Sequence, residues 1–215
     1  MTDPTALPDP DDPYPVRTQD GAPLRSTVFL KPLIDQDNFE VGEYTYASDR
    51  HPPQDWAAHL APYLFPGAKG ALKIGKFCAI AQGTRFVTAG ANHATDGLTS
   101  YPFPIFDAHE RSTYQPDTRP TSVGHDVWFG MDACVLPGAN IGSGAIIGAR
   151  SVVRGTIPPY AVVTGNPARV TAQRFPSDDI AALLDIAWWD WPPDAIARAR
   201  PSLATGNIAH LKRLS

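Results

Sequence analysis

Of six histidines in 215 residues, His93 has the surroundings that best suit proton chemistry. It closes the stretch Gly90-Ala-Asn-His, comes shortly before Asp96, and leads into the apolar run Tyr101-Pro-Phe-Pro-Ile-Phe. Imidazole titrates near neutrality, so a histidine so placed can take a proton from a weak acid and return it. Asp96 could orient the ring, and a backbone carbonyl could do so equally well. A solvated loop histidine is the plain alternative. His51, His59 and His210 read as surface residues, His109 lies in a polar run, and His125 takes an outward position. A catalytic zinc held on a prism by three histidines needs two of them closely spaced. No second histidine lies five residues from His93 or His125, so no metal is expected. Cys78 and Cys134 do not make a disulfide framework and read as small buried side chains.

The elements that position these residues show in a six-residue period. From Val123 to Pro158 the chain reads Val123-Gly-His-Asp-Val-Trp, Phe129-Gly-Met-Asp-Ala-Cys, Val135-Leu-Pro-Gly-Ala-Asn, Ile141-Gly-Ser-Gly-Ala-Ile, Ile147-Gly-Ala-Arg-Ser-Val and Val153-Arg-Gly-Thr-Ile-Pro. Position one is always Val, Ile or Phe, position two is Gly in four of six, and position five is mostly small. Such a period predicts a parallel β-helix, mainly β in class, in which three hexads close one triangular coil. The branched residue points inward and stacks on its equivalent one coil away. Glycine is expected to supply backbone conformations that a Cβ resists.

Val41-Gly-Glu-Tyr-Thr-Tyr fits the period, and Ile74-Gly-Lys-Phe-Cys-Ala, Ile80-Ala-Gln-Gly-Thr-Arg and Phe86-Val-Thr-Ala-Gly-Ala make one full coil. Ala47 to Lys69 breaks it, with a helical turn around Trp56. Asn92 to Ser122 breaks it again. Phe86 and Val123 are 37 residues apart, one more than six hexads, so this excursion cannot simply continue the coil. Long loops on rigid scaffolds are disproportionately functional. Pro159-Tyr-Ala-Val-Val-Thr and Gly165-Asn-Pro-Ala-Arg-Val read as the last coil. Ser177 reads as an N-cap with Asp178 and Asp179 behind it, and Trp191-Pro-Pro as the stop of that helix. A second helix begins near Asp194, and the helices pack on the end or side of the prism. The domain reading is therefore a tail at 1–24, a β-helix at 25–176 with the loop 92–122 inserted, and a helical segment at 177–215.

Residues 1–24 hold six prolines and five aspartates and read as disordered or loosely draped, so trimming residues 2–20 is expected to change folding and activity little. The formal net charge of −4 is already reached within residues 1–20, which leaves the rest neutral and without a nucleic-acid footprint. No apolar run spans a membrane and the N-terminus has no signal-peptide pattern, so a cytoplasmic protein is expected. Trp128 and Phe129 add apolar surface that a lone prism would expose.

These pieces resemble a known family. Val41-Gly-Glu-Tyr-Thr-Tyr, Lys73-Ile-Gly-Lys-Phe-Cys-Ala-Ile, Gly90-Ala-Asn-His, Tyr101-Pro-Phe, Val123-Gly-His-Asp-Val-Trp-Phe-Gly, Gly165-Asn-Pro-Ala and Leu184-Asp-Ile-Ala-Trp-Trp-Asp-Trp-Pro together cover most of residues 38–195. They are similar to the xenobiotic acetyltransferases of the hexapeptide-repeat superfamily, the streptogramin A (virginiamycin) and type B chloramphenicol acetyltransferases. The resemblance implies a left-handed β-helix, a homotrimer with active sites between subunits, and acetyl transfer from acetyl-CoA to a hydroxyl of an antibiotic. It carries the catalytic histidine onto His93. It implies Tyr46, Asn92, Asp96, Tyr101, Phe103 and Pro104 at the acceptor, and Trp128, Ala149, Arg150, Gly165, Asn166 and Arg169 along acetyl-CoA. The proline-rich tail and Ala47–Lys69 depart from the family's pattern, which leaves the acceptor open; another hexapeptide acetyltransferase, acting on a sugar, would need the same chemistry. A γ-type carbonic anhydrase and a non-enzymatic trimeric scaffold are the remaining alternatives.

Overall fold

The computed structural model describes residues 6–114 and 116–214; the tail reading for residues 1–5 lies outside them. The first coil is built from β2 (Phe39–Val41) and β3 (Tyr46–Ser48), with β1 (Thr27–Phe29) added antiparallel to β3. The next is β4 (Leu72–Ile74), β5 (Ala79–Ile80) and β6 (Arg85–Phe86). After the long excursion come β7 (Thr121–Val123), β8 (Trp128–Phe129) and β9 (Cys134–Val135). Then follow β10 (Asn140–Ile141), β11 (Ile146–Ile147) and β12 (Val152–Val153). β13 (Thr156–Ile157) and β14 (Ala161–Thr164) finish the prism, and β15 (Arg169–Gln173) folds back on β14.

Among the described residues these strands make three sheets, one per prism face, in the orders β1-β3-β5-β8-β11-β14-β15, β13-β10-β7-β4-β2 and β12-β9-β6. Pairing between coils is parallel throughout, which is the β-helix read from the hexads. Position-one residues stack inside: Phe86, Val135 and Val153 on one face, Ile80, Phe129 and Ile147 on another, all buried. Phe129 is therefore core, and of the pair assigned to an outer apolar surface only Trp128 is exposed. The long excursion changes nothing in this register, because Ile74 pairs with Val123 as directly as Val123 pairs with Ile141.

Two local readings need correction. The left-handed conformations fall at position four, at Asp126, Asp132, Gly138, Gly144 and Arg150, and not at the position-two glycines. Position two is glycine for lack of space. A Cβ on Gly75 would stand 2.5 Å from the Gly124 carbonyl oxygen, and one on Gly130 2.6 Å from the Ala149 nitrogen. At these glycines the backbone of the next coil takes the space a side chain would need, whereas Leu136 and Arg154 hold position two in their hexads. The last coil is also short. Ile157, not Pro159, stacks on Ile141 and Val163 stacks on Ile147, sixteen residues apart where a full coil takes eighteen. Gly165 to Ala168 then forms the turn of the β14–β15 hairpin, still bonded to β12 through the Val152 N–H to Gly165 carbonyl and Ala168 N–H to Val152 carbonyl bonds at 3.0 and 2.9 Å, but forming no strand of its own.

α1 (Trp56–Leu60) fills the third side of the first coil, its Trp56 and Leu60 in the main core and Asp55 capping it by accepting from the Ala58 N–H at 2.9 Å. The C-terminal helices α2 (Ser177–Ile186), α3 (Pro193–Thr205) and α4 (Ile208–Leu214) pack on the side of the prism. Pro176, not Ser177, holds the N-cap position of α2 and no side chain caps it; the helix stops at Ile186, where Ala187 turns left-handed and the Trp191 indole donates to the Ile186 carbonyl at 3.1 Å. Trp188 packs on Phe77 and Trp189 stacks face to face on His125, with ring centres 4.9 and 5.1 Å apart. None of the described helices is long and apolar enough to cross a membrane.

Residues 6–24 follow the first coil. The Phe29 N–H donates to the Pro13 carbonyl and the Leu24 N–H to the Val16 carbonyl at 3.0 and 2.9 Å, and Tyr14 packs against the core. The steric account of position two gives a direct expectation. Gly75→Ala should lower the unfolding free energy by about 2 kcal/mol or more, while Gly97→Ala, whose Cβ meets only ordinary contacts, should stay within ~0.5 kcal/mol. Urea unfolding followed by circular dichroism measures both, and equal effects would contradict the account.

Candidate active site

The excursion leaves the prism after β6 and returns to β7, so it springs from the corner between the three-stranded and five-stranded faces. A single 3-10 turn, Ala89–Ala91, ends in extended backbone at Asn92 and delivers His93 to the surface, where it is exposed. Gly90 permits this path. A Cβ there would run into the Tyr63 carbonyl oxygen of the other excursion, which crosses at that point.

His93 Nδ1 lies 2.8 Å from the Ser100 carbonyl oxygen. A carbonyl only accepts, so Nδ1 must carry the proton, and Nε2 is left with its lone pair free to act as a base. The orienting group is thus a backbone carbonyl, one of the two candidates the sequence left open. Asp96 is exposed. The residues on either side of His93 are pinned to the returning limb. The Asn92 side-chain amide donates to the Asp117 carbonyl at 2.7 Å, and the Ala94 N–H donates to the Tyr114 hydroxyl at 2.9 Å. Sequence reasoning missed Ser100, Tyr114 and Asp117. Ser100 and Asp117 act through backbone atoms, which leave no trace in residue type.

Tyr101, Phe103 and Phe106 cluster on the same loop, Tyr101 with ring centres 4.6 Å from Phe103 and 5.5 Å from Phe106, yet all three are more than half exposed. Pro104 is half-buried beside them. Tyr46 is on β3, in a different sheet from the strands that flank the excursion, and is 38% exposed.

Ala149, Arg150, Gly165 and Asn166 come together along the corner between the seven-stranded and three-stranded faces. The Arg150 N–H donates to the Met131 carbonyl, and the Gly165 N–H to the Ser151 hydroxyl, at 2.8 and 3.1 Å. Arg150 sits 3.5 Å from Asp132, Arg169 follows in β15, and all four corner residues are exposed. Trp128 stands on the adjoining face, 53% exposed. A straight, exposed edge of small residues with arginines beside it fits a long chain ending in phosphates.

Two histidines read as surface residues are in fact partnered. His59 Nε2 lies 3.2 Å from the buried Asp49 carboxylate and 3.3 Å from Arg85 Nη1, and His210 meets Ser202. His125 accepts from the Lys76 N–H through Nδ1 at 3.0 Å, and burial pushes its pKa down. Among the described residues no three His, Cys, Asp or Glu side chains form a metal-binding group.

The geometry can be set beside known proteins. Residues 120–155 match the family described as bacterial transferase hexapeptide (six repeats). A chloramphenicol acetyltransferase of Agrobacterium fabrum is 37% identical over 201 residues, 89% of this chain and 94% of its own. A virginiamycin A acetyltransferase of Staphylococcus aureus is 36% identical over 212 residues, 96% and 93%. A probable macrolide acetyltransferase of Lysinibacillus sphaericus is 45% identical over 139 residues, 62% and 76%. The chain belongs to the xenobiotic acetyltransferase family of hexapeptide-repeat acyltransferases, and it is an enzyme of acyl transfer.

Burial raises the Cys78 thiol to about 12, which removes it as a nucleophile. Iodoacetamide at pH 8 should therefore leave Cys78 unmodified in the native protein and alkylate it only after unfolding; peptide mass mapping that finds Cys78 labelled in the native state would contradict this.

Proposed function

We propose that the protein is an acetyl-CoA-dependent O-acetyltransferase that works as a homotrimer of left-handed prisms and acetylates a hydroxyl of a streptogramin A or chloramphenicol-like antibiotic. The observation that carries the reading is the 2.8 Å contact between His93 Nδ1 and the Ser100 carbonyl, which fixes a basic Nε2 at the loop surface. Family membership and relatives that act on such antibiotics give the direction of the chemistry.

Acetyl-CoA, when bound, supplies an acetyl group on a thioester. Ala149, Gly165 and Asn166 line the edge along which its pantetheine chain would lie. Arg150 and Arg169 would meet its phosphates, and Trp128 stands on the adjoining face. His93 Nε2 accepts the acceptor's hydroxyl proton as that oxygen bonds to the thioester carbonyl carbon. The Ser100 carbonyl keeps the imidazolium in place. A backbone N–H stabilises the oxyanion. As the carbon–sulfur bond breaks, His93 returns its proton to the leaving sulfur. With Cys78 buried and unreactive, transfer is direct and leaves no acetyl on the protein.

Tyr46, Asn92, Asp96, Tyr101, Phe103 and Pro104 shape the acceptor side. Their apolar rings are exposed in one chain, and Tyr46 and His93 belong to different parts of the prism. A neighbouring subunit that brings its Tyr46 to this loop completes the pocket and covers the rings.

His93→Ala should lower kcat by roughly 10²–10⁴ with little change in acetyl-CoA affinity. The assay is thiol release with streptogramin A, chloramphenicol and simple sugars as acceptors. Initial-velocity lines should intersect; parallel lines, or acetyl trapped on the enzyme without acceptor, contradict direct transfer. Light scattering at micromolar concentration should return three times the chain mass.

A further inference from the structure

His93 stands on a segment that the sheets do not hold. Between β6 and β7 the described backbone forms only 3-10 turns of three or four residues. The contact from His93 Nδ1 to the Ser100 carbonyl spans seven residues of that segment. A backbone shift of about 1 Å would stretch it beyond hydrogen-bond range. The ring could then take either tautomer, and Nε2 would carry a proton in part of the molecules. Both ends of the contact must therefore be fixed. At the Ser100 end, Tyr101 gives its N–H to Thr99 Oγ1 at 3.1 Å and its ring to Phe103 and Phe106. At the His93 end, Asn92 is held by its own side chain on the Asp117 carbonyl. Ala94, on the other side, has no polar side chain. Its half-buried N–H is held by a side chain twenty residues on, the Tyr114 hydroxyl at 2.9 Å.

Tyr114 is itself placed by its neighbours. It follows the 3-10 turn Arg111–Thr113, and its carbonyl receives Lys69 Nζ from the other excursion at 3.4 Å. Arg111 ties that turn to the aromatic loop through the Ile105 carbonyl at 3.1 Å. The Tyr114 hydroxyl thus closes residues 94–114 into one loop, which carries Ser100 and the aromatic rings, and closes it on the peptide next to His93.

From this we infer that Tyr114 is a positioning residue for acetyl transfer. Its hydroxyl oxygen, by accepting from the Ala94 N–H, holds the backbone so that Nδ1 stays on the Ser100 carbonyl and Nε2 keeps its lone pair. The inference rests on the function proposed above, through His93. The hydroxyl works on an amide, so it needs no contact with either substrate and takes no part in the proton transfer. Phenylalanine at this position would keep the ring and turn hydrocarbon toward the Ala94 N–H. A half-buried donor left without a partner is costly, so the peptide would move to find water and carry His93 with it.

The test compares Tyr114→Phe, Thr113→Ala and His93→Ala with the parent enzyme, with streptogramin A and chloramphenicol as acceptors. Thr113 Oγ1 donates to the Glu110 carbonyl at 2.7 Å, so Thr113→Ala removes a neighbouring hydroxyl of the same loop and leaves the Ala94 bond in place. Tyr114→Phe should lower kcat about ten- to a hundredfold. The KM values for acetyl-CoA and acceptor in Tyr114→Phe, and kcat in Thr113→Ala, should stay within about twofold of the parent. Two-bond proton–nitrogen spectra of the histidine rings should show His93, assigned by its loss in His93→Ala, as the Nδ1–H tautomer in the parent and as a mixture in Tyr114→Phe. An unchanged kcat in Tyr114→Phe beside an impaired His93→Ala overturns the inference alone. So does an equal loss in Thr113→Ala, which would make the effect one of loop stability. His93→Ala with the parent's activity removes the functional reading, and the inference falls with it.

Discussion

Successive coils hydrogen-bond to one another along three faces, and that spacing governs what every other part of the chain can be. Where position two is glycine it leaves no room for a Cβ: one on Gly75, Gly124, Gly130 or Gly142 would meet the backbone of the next coil. At position one it brings branched and aromatic side chains into contact, as in Phe86 on Val135 and Ile80 on Phe129, so the interior is a continuous column. At the corners it aligns whatever points outward. A side chain useful at one corner has an equivalent directly above it, and long straight surfaces follow from the repeat.

The three corners have different fates, and function depends on that difference. One is covered: His125 and Phe77 receive Trp189 and Trp188, while Arg174 donates to the Gly144 carbonyl at 2.6 Å and lies against Asp126. Burial raises the Asp126 pKa there, with Arg174 opposing the shift. The second sends out the excursion that bears His93. The third stays exposed, with Arg150 and the Gly165 turn along it. The prism thus fixes where the excursion starts and ends, because it begins and ends at residues in register with the neighbouring coils.

The hexads were legible because the constraint acts on side-chain type at a fixed period, and Val123 to Val153 keeps that period unbroken. What escaped has physical reasons as well. The glycine rule was read as a backbone preference, when the cause is a neighbour one coil away that no local window contains. The short last coil was hidden because Ile157 and Pro159 both suit a coil, and only the pairing with Ile141 decides between them. The β14–β15 hairpin looked like one more repeat for the same reason. His93 was identified by its resemblance to a family motif, whereas its orienting partner is the carbonyl of Ser100, an atom every residue owns. The tail was read from composition alone, and composition does not record that Phe29 and Lys31 offer it partners.

The central claim is a site made by two subunits, His93 from one and Tyr46 from the next. Mixing unfolded His93→Ala and Tyr46→Ala chains in equal amounts and refolding them together tests it most directly. If the site is shared, random trimers restore an intact His93–Tyr46 interface in about a quarter of positions, and acetyl transfer returns to about that fraction of the parent rate although each variant alone is impaired. A mixture no more active than the two variants measured separately would mean that each chain builds its site from its own residues, and would contradict the account.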